Sequence, residues 1–191
     1  FKPAPESSSS SVEGTGRLSY AILSDLKAGL GYTYASRSFD TSRYLLQGDE
    51  VVLDQNVNRQ DGFHLGVASL AYRGPIVVDV NYSLAVNRAN SYGQNLTRHS
   101  AEATVTTPVV WGIFLTAHAE LQRTIYEDPV LIDAVFLIDE DNRNSLIASL
   151  ARPLGDHWEL ELRYSLFLQE FGVGSDYDRQ TFLTALAYLY D

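Results

Sequence analysis

The stretch that decides the fold is Trp158-Glu159-Leu160-Glu161-Leu162-Arg163-Tyr164-Ser165-Leu166-Phe167-Leu168-Gln169. Its even positions are all apolar or aromatic, while the odd ones include Glu159, Glu161, Arg163, Ser165 and Gln169. A period of two sends successive side chains to opposite faces of a β-strand, so this segment has one apolar face and one wet face. Ile76 to Asn87 repeats the design, with Val78, Val80, Tyr82, Leu84 and Val86 set against Asp79, Asn81, Ser83 and Asn87. A third run puts Ile113, Leu115, Ala117, Ala119 and Leu121 opposite Phe114, Thr116, His118, Glu120 and Gln122.

Working outward, weaker alternation predicts further strands over 17–23, 26–34, 63–72, 100–107, 144–152 and 179–190, for nine in all. The connections alternate in length. Ser24-Asp25, Arg73-Gly74-Pro75, Thr107-Pro108 and Leu154-Gly155-Asp156 are short and carry turn residues. The links over 35–62, 88–99, 123–143 and 170–178 are long and polar, and are expected as loops. Residues 1–15, with five consecutive serines, read as a linker or loop, leaving 16–191 as the folded unit.

Composition narrows the class. With 45% apolar and 20% charged residues, the 191-residue chain is not of the disordered type. No stretch approaches the ~18 to 20 continuous apolar residues of a membrane-spanning helix. Strands of roughly 9 to 11 residues, apolar on one face only, cross the same bilayer, so alternation of this length is compatible with a membrane. The absence of cysteine excludes disulfides and thiolate metal sites. A net charge of −10 argues against nucleic acid as a partner, since phosphate neutralisation requires a basic surface. No cofactor signature is present and none is expected.

Aromatic placement adds an independent pattern. Trp111 and Trp158 follow short turns, Tyr72 precedes one, and Tyr188 and Tyr190 close the last strand, so these five gather at one rim. Tyr32, Tyr34 and Phe182 fall toward the loop side. Aromatic girdles flanking an aliphatic band suit the two headgroup regions of a bilayer. On alternation, turn asymmetry and these aromatics, the chain over roughly Gly16 to Tyr190 resembles bacterial outer-membrane β-barrels as a class. The resemblance implies an antiparallel up-and-down transmembrane barrel in the bacterial outer membrane, with lipid as its solvent. The final aromatic residue usual in that class is approximated by Tyr190, although Asp191 follows it.

An even strand number is the rule for single-chain bacterial barrels. Nine visible strands therefore imply a barrel of ten or more, completed by strands upstream of Phe1 or by other subunits; the alternative is eight, with 17–23 outside the membrane. Envelope proteins are expected as further partners.

The wet face supplies the candidate lumen: Lys27, Asp79, Asn81, Glu102, Thr104, His118, Glu120, Glu159, Glu161 and Arg163. These residues describe either a hydrated, mildly acidic passage favouring cations or a salt-bridged plug filling a small barrel. The leading expectation is a transport or export conduit; a structural or docking barrel and a membrane-embedded hydrolase are the alternatives. No nucleophile is marked by a local motif beside His118 and Glu120, so no catalytic residue is assigned and a non-enzymatic role is expected. His64, His99 and His157 lack metal-ligand spacing. Asp139-Glu140-Asp141-Asn142 lacks the glycine and distal glutamate of a calcium loop. The apolar run from Val130 to Ile138 reads best as a strand extension beyond the membrane, with a constriction or partner contact as alternatives. Alternation leaves one ambiguity: a soluble β-sandwich or lipocalin-like barrel shows the same period with its apolar face turned inward.

Overall fold

Strict alternation with no helical period leaves each segment one way to satisfy its backbone, through neighbours in a sheet. The computed structural model describes residues 9–48, 50–133, 136–171 and 175–188, and within these the side chains outside 129–141 and 170–176. It contains nine strands: β1 Ser9–Ala21, β2 Leu26–Gln47, β3 Glu50–Arg73, β4 Val77–Ala89, β5 Leu96–Pro108, β6 Phe114–Asp133, β7 Phe136–Leu154, β8 Trp158–Phe171 and β9 Ser175–Tyr188. They form one sheet in sequence order, each strand antiparallel to the next.

The number and order of strands agree with the sequence pattern, but the expected barrel is not closed. β1 and β9 lie at opposite edges with no pairing between them. Every residue of β1 is exposed. The reason is directional: in an alternating antiparallel series of nine, the first and last strands run the same way, so antiparallel pairing cannot join them.

Several boundaries also differ, among them the link expected over 170–178, where β9 already begins at Ser175. The serine run expected as linker is already strand from Ser9, paired residue by residue with β2 from Ser9↔Phe39 to Ala21↔Lys27. Small polar residues are poor strand formers alone, but a long neighbouring edge supplies their hydrogen bonds. The links expected as long loops over 35–62 and 123–143 are instead hairpins: β2 and β3 continue to a turn after Gln47, and β6 and β7 continue through Val130↔Ile138. Polar alternation on both faces hid these extensions, and irregular register at Ser38/Ser42 and Ile125/Val130 broke the period. Of the run over 130–138, the described residues 130–133 and 136–138 are strand, continuing β6 and β7. The third short turn lies over 109–113 rather than at Thr107-Pro108.

That turn is unusual. Trp111 and Gly112 both have positive φ, 56° and 70°, and Ile113 N–H donates to the Val110 carbonyl at 3.1 Å, the geometry of a type I′ hairpin turn. Glycine adopts this conformation freely, whereas tryptophan there costs ~1–2 kcal/mol.

The short turns define a slanted rim. Following one register row from Ala21 and Lys27 through Ala71, Asp79, Thr104, His118 and Ile147, the four hairpins end none, two, four and seven residues beyond it. At ~3.3 Å per residue and ~4.8 Å between strands, this slant across six strands leans them roughly 40° from the rim's normal.

Candidate functional site

Register decides which side chains share a face, because directly paired residues in an antiparallel sheet project together. One row holds Ser19, Gly29, Ser69, Asn81, Glu102, Glu120 and Ser145; the row beside it holds Lys27, Asp79, Thr104, His118 and Ser165. Glu159, Glu161 and Arg163 continue the same face on β8. All ten residues proposed for the lumen therefore lie together on one face of the sheet.

The opposite face is apolar across its breadth. Its rows include Tyr72, Val78, Val105, Ala117, Ala148, Tyr164 and Phe182, then Leu70, Val80, Ala103, Ala119, Leu146 and Leu166. Its large side chains are exposed: Leu18 is 77% accessible, Phe182 79% and Leu162 46%. By contrast, the buried strand residues Ala35, Asp61, Ala85, Thr124 and Ser165 all belong to the polar face. The sheet therefore curls toward its polar side. A soluble sandwich or lipocalin-like barrel has the reverse polarity, with its apolar side chains covered.

Of the interface aromatics, Tyr32, Tyr34, Tyr72, Trp158, Phe182 and Tyr188 lie on the apolar face. Trp158 and Tyr188 meet edge to face at 4.9 Å at the short-turn rim. Trp111 sits at the tip of its turn, 82% exposed, rather than on a strand. Tyr190 lies outside the described residues. Toward the other rim, Tyr32 Oη and His64 Nδ1 are 2.6 Å apart, and Tyr82 Oη and His99 Nδ1 2.7 Å. Two histidines that carry no metal spacing thus anchor tyrosine hydroxyls where the apolar face gives way to polar side chains. Among the described residues no cluster of three metal-ligating side chains occurs. The carboxylates of the acidic run 139–141 lie outside the described side chains.

The register adds what the sequence reading missed. Arg17, Arg73, Arg98, Arg143 and Arg179 share the polar face. They offset its carboxylates, so the acidic surface expected from Asp79, Glu102, Glu120, Glu159 and Glu161 is balanced in charge. Arg73 Nη2 pairs with Asp79 at 2.6 Å and Arg163 Nη2 with Glu161 at 2.7 Å. His118 Nδ1 bonds Thr104 Oγ1 at 2.9 Å. These arginines fall where alternation is weak, so only pairing with a clearly phased neighbour reveals their side.

The best-packed part of this face is its end away from the short turns. Here the β4–β5 loop folds against the β2–β3 hairpin: Tyr92 N–H donates to the Tyr44 carbonyl at 2.8 Å, and Asn90 Oδ1 accepts from Gln60 N–H at 2.8 Å. Ser91 Oγ accepts from Tyr44 N–H at 2.9 Å and is buried. Glu127 N–H donates to the Asn95 carbonyl at 3.0 Å, and Arg88 pairs with Glu127, tying the loop to β6 as well. Under it lies a cavity of about 470 Å³ whose walls include Arg37, Arg59, Asp61, Phe63, Arg98 and Tyr126. No protein-family model, curated protein or solved structure matches the chain.

Proposed function

We propose that the sheet is the wall of a transmembrane β-barrel of the bacterial outer membrane, and that the barrel is a transport or export conduit. The observation carrying this reading is the broad apolar face left exposed while a charged and hydroxylated face is turned inward. Burying one such leucine or phenylalanine is worth about 1.5–3 kcal/mol, so a continuous face of them in water is a strong drive toward an apolar solvent. The band on β8 runs from Trp158 to Leu168, and with the ~40° lean its height is ~25 Å, that of an outer-membrane barrel's apolar belt. The lean itself falls in the ~35–45° range of such barrels. A tryptophan held at positive φ on an exposed tip with Val109 and Val110 suits a turn that dips into the headgroup layer.

Closure requires more than the nine strands. Because β1 and β9 run in parallel, an odd number of added strands, each antiparallel to its neighbours, completes a barrel of ten or more. Both edges suit strand addition: 13 and 14 residues long, they contain no proline or charged bulge to block pairing. Those strands come from further chain or from other subunits. The buttressed β2–β3 hairpin favours a second reading, a docking barrel that presents this platform to an envelope protein.

Two measurements test the proposal. The protein should require detergent and migrate faster on SDS gels unheated than boiled; identical migration with solubility in plain buffer would remove the membrane reading. Reconstituted in planar bilayers, a conduit gives discrete conductance steps, whereas silence at every voltage leaves the docking role.

A further inference from the structure

Two of the five buried polar-face strand residues, Asp61 and Ala85, line the cavity beneath the β4–β5 loop, and Gly93 and Gln94 of that loop line it as well. A chain with net charge −10 places three guanidinium groups, those of Arg37, Arg59 and Arg98, around this one space. Their roles differ. Arg59 is committed: its Nε donates to Asp61 Oδ1 at 2.9 Å, its Nη2 reaches Asp61 Oδ2, and it stacks 4.4 Å over the Phe39 ring. Asp61 stands directly across from Arg37 in the register, yet its carboxylate is taken by Arg59. Arg37 is left over the Phe63 ring at 5.7 Å, and among the described residues Arg98 uses only its Nε, donating to Thr124 Oγ1 at 3.0 Å.

Two guanidinium forks therefore face a preformed cavity whose walls, among the described residues, hold one carboxylate, already paired. Such forks match the two oxygens of a carboxylate or phosphate. The remaining walls supply the aromatic rings of Phe63 and Tyr126 and the amides of Asn87 and Gln94, which suit a hydroxylated ring rather than a bare ion. We propose that this cavity is a binding site for an anionic sugar, a sugar acid or sugar phosphate, with Arg37 and Arg98 holding its oxyanion. The site requires only the local packing of β2 to β6 and the β4–β5 loop. It rests on the conduit reading solely for the idea that its ligand is also the cargo.

The test is calorimetric titration of the detergent-solubilised full-length protein with galacturonate, glucose 6-phosphate, galactose and inorganic phosphate. The expected result is saturable binding of at least one anionic sugar and none of galactose. Arg37→Gln and Arg98→Gln should each weaken that binding at least ~10-fold, the loss of a charge-assisted hydrogen-bond pair. Arg37→Lys, which keeps the charge and loses the fork, should fall between, while Arg179→Gln on distant β9 should bind as the parent does. A heat-dependent gel shift equal to the parent's establishes that each variant keeps the parent's fold. Equal affinity for galactose, binding indifferent to both arginine variants, or inorganic phosphate binding as tightly as either sugar anion would overturn the proposal. Because binding is read without current, a silent bilayer experiment refutes the conduit and leaves this site standing.

Discussion

Leu162 lies midway along the apolar run of β8, four residues from Trp158, with Glu161 and Arg163 on the other face beside it. At ~2.5 Å of rise along the normal per leaning residue, it sits ~10 Å above the aromatic rim, close to the centre of a ~25 Å belt. Leu162→Arg puts a guanidinium where its stem is too short to bring the charge to either interface without cost. On the lipid-facing side of a barrel that change costs about 2–4 kcal/mol near the midplane. At ~1.4 kcal/mol per decade, this lowers the folding equilibrium roughly 30- to 700-fold. If the same face met water, Leu162, already 46% exposed, would yield to arginine within ~0.5 kcal/mol. Asn81→Arg, on the polar face beside Glu102, is the matched control and should change stability little. The assay is reversible urea unfolding in lipid vesicles, followed by tryptophan fluorescence from Trp158 on the same strand, with unheated gel migration as a second probe. A Leu162→Arg variant as stable as Asn81→Arg would refute the assignment of the apolar face to lipid.

Other outcomes follow from the same geometry. In single-tryptophan variants, Trp111 and Trp158 should both be quenched more by lipids brominated near the headgroup than by lipids brominated near the chain ends; deep quenching of either would remove the rim assignment. The balanced polar face predicts a reversal potential near zero in a salt gradient, and strong cation selectivity would restore the acidic lumen expected from composition. In the β2–β3 hairpin, the Asn56 backbone N–H, and then Arg43, donate to Asp54 and hold its carboxyl below its ordinary 3.8. A depressed folded value means that the contribution to hairpin stability is complete above pH 3.8 and is lost as the pH falls through the folded value. Amide exchange over 43–54 should therefore accelerate in acid. Arg43→Gln should raise the Asp54 value only part of the way, because the Asn56 bond remains; an NMR titration that shows no rise would count against the pairing.

Much of the architecture was legible from residues alone. Period-two alternation is a local property, written into Trp158–Gln169 and Ile76–Asn87, and it placed nine strands, their order and the two faces they share. Where polar residues occupied both faces, as over 35–62 and at the serines from Ser9, the signal vanished although the strands continued. There, pairing to a neighbour, not the segment's own composition, decides the conformation. The polar-face residues picked from strong alternation stayed together in space, but Arg17, Arg73, Arg98, Arg143 and Arg179 joined them only through register. The cavity around Arg37 and Arg98 draws on β2 to β6 and the loop after Ala89 at once, so no window of sequence contains it.

The sequence by itself determined that this chain makes long antiparallel strands with one apolar and one wet side, because side-chain direction along a strand follows from backbone geometry. Tertiary structure alone decided that the wet side turns inward, that its charges balance, and that β1 and β9 end as open parallel edges. Curvature, register and strand direction are properties of the whole sheet, set by how each strand's hydrogen bonds fall against the next.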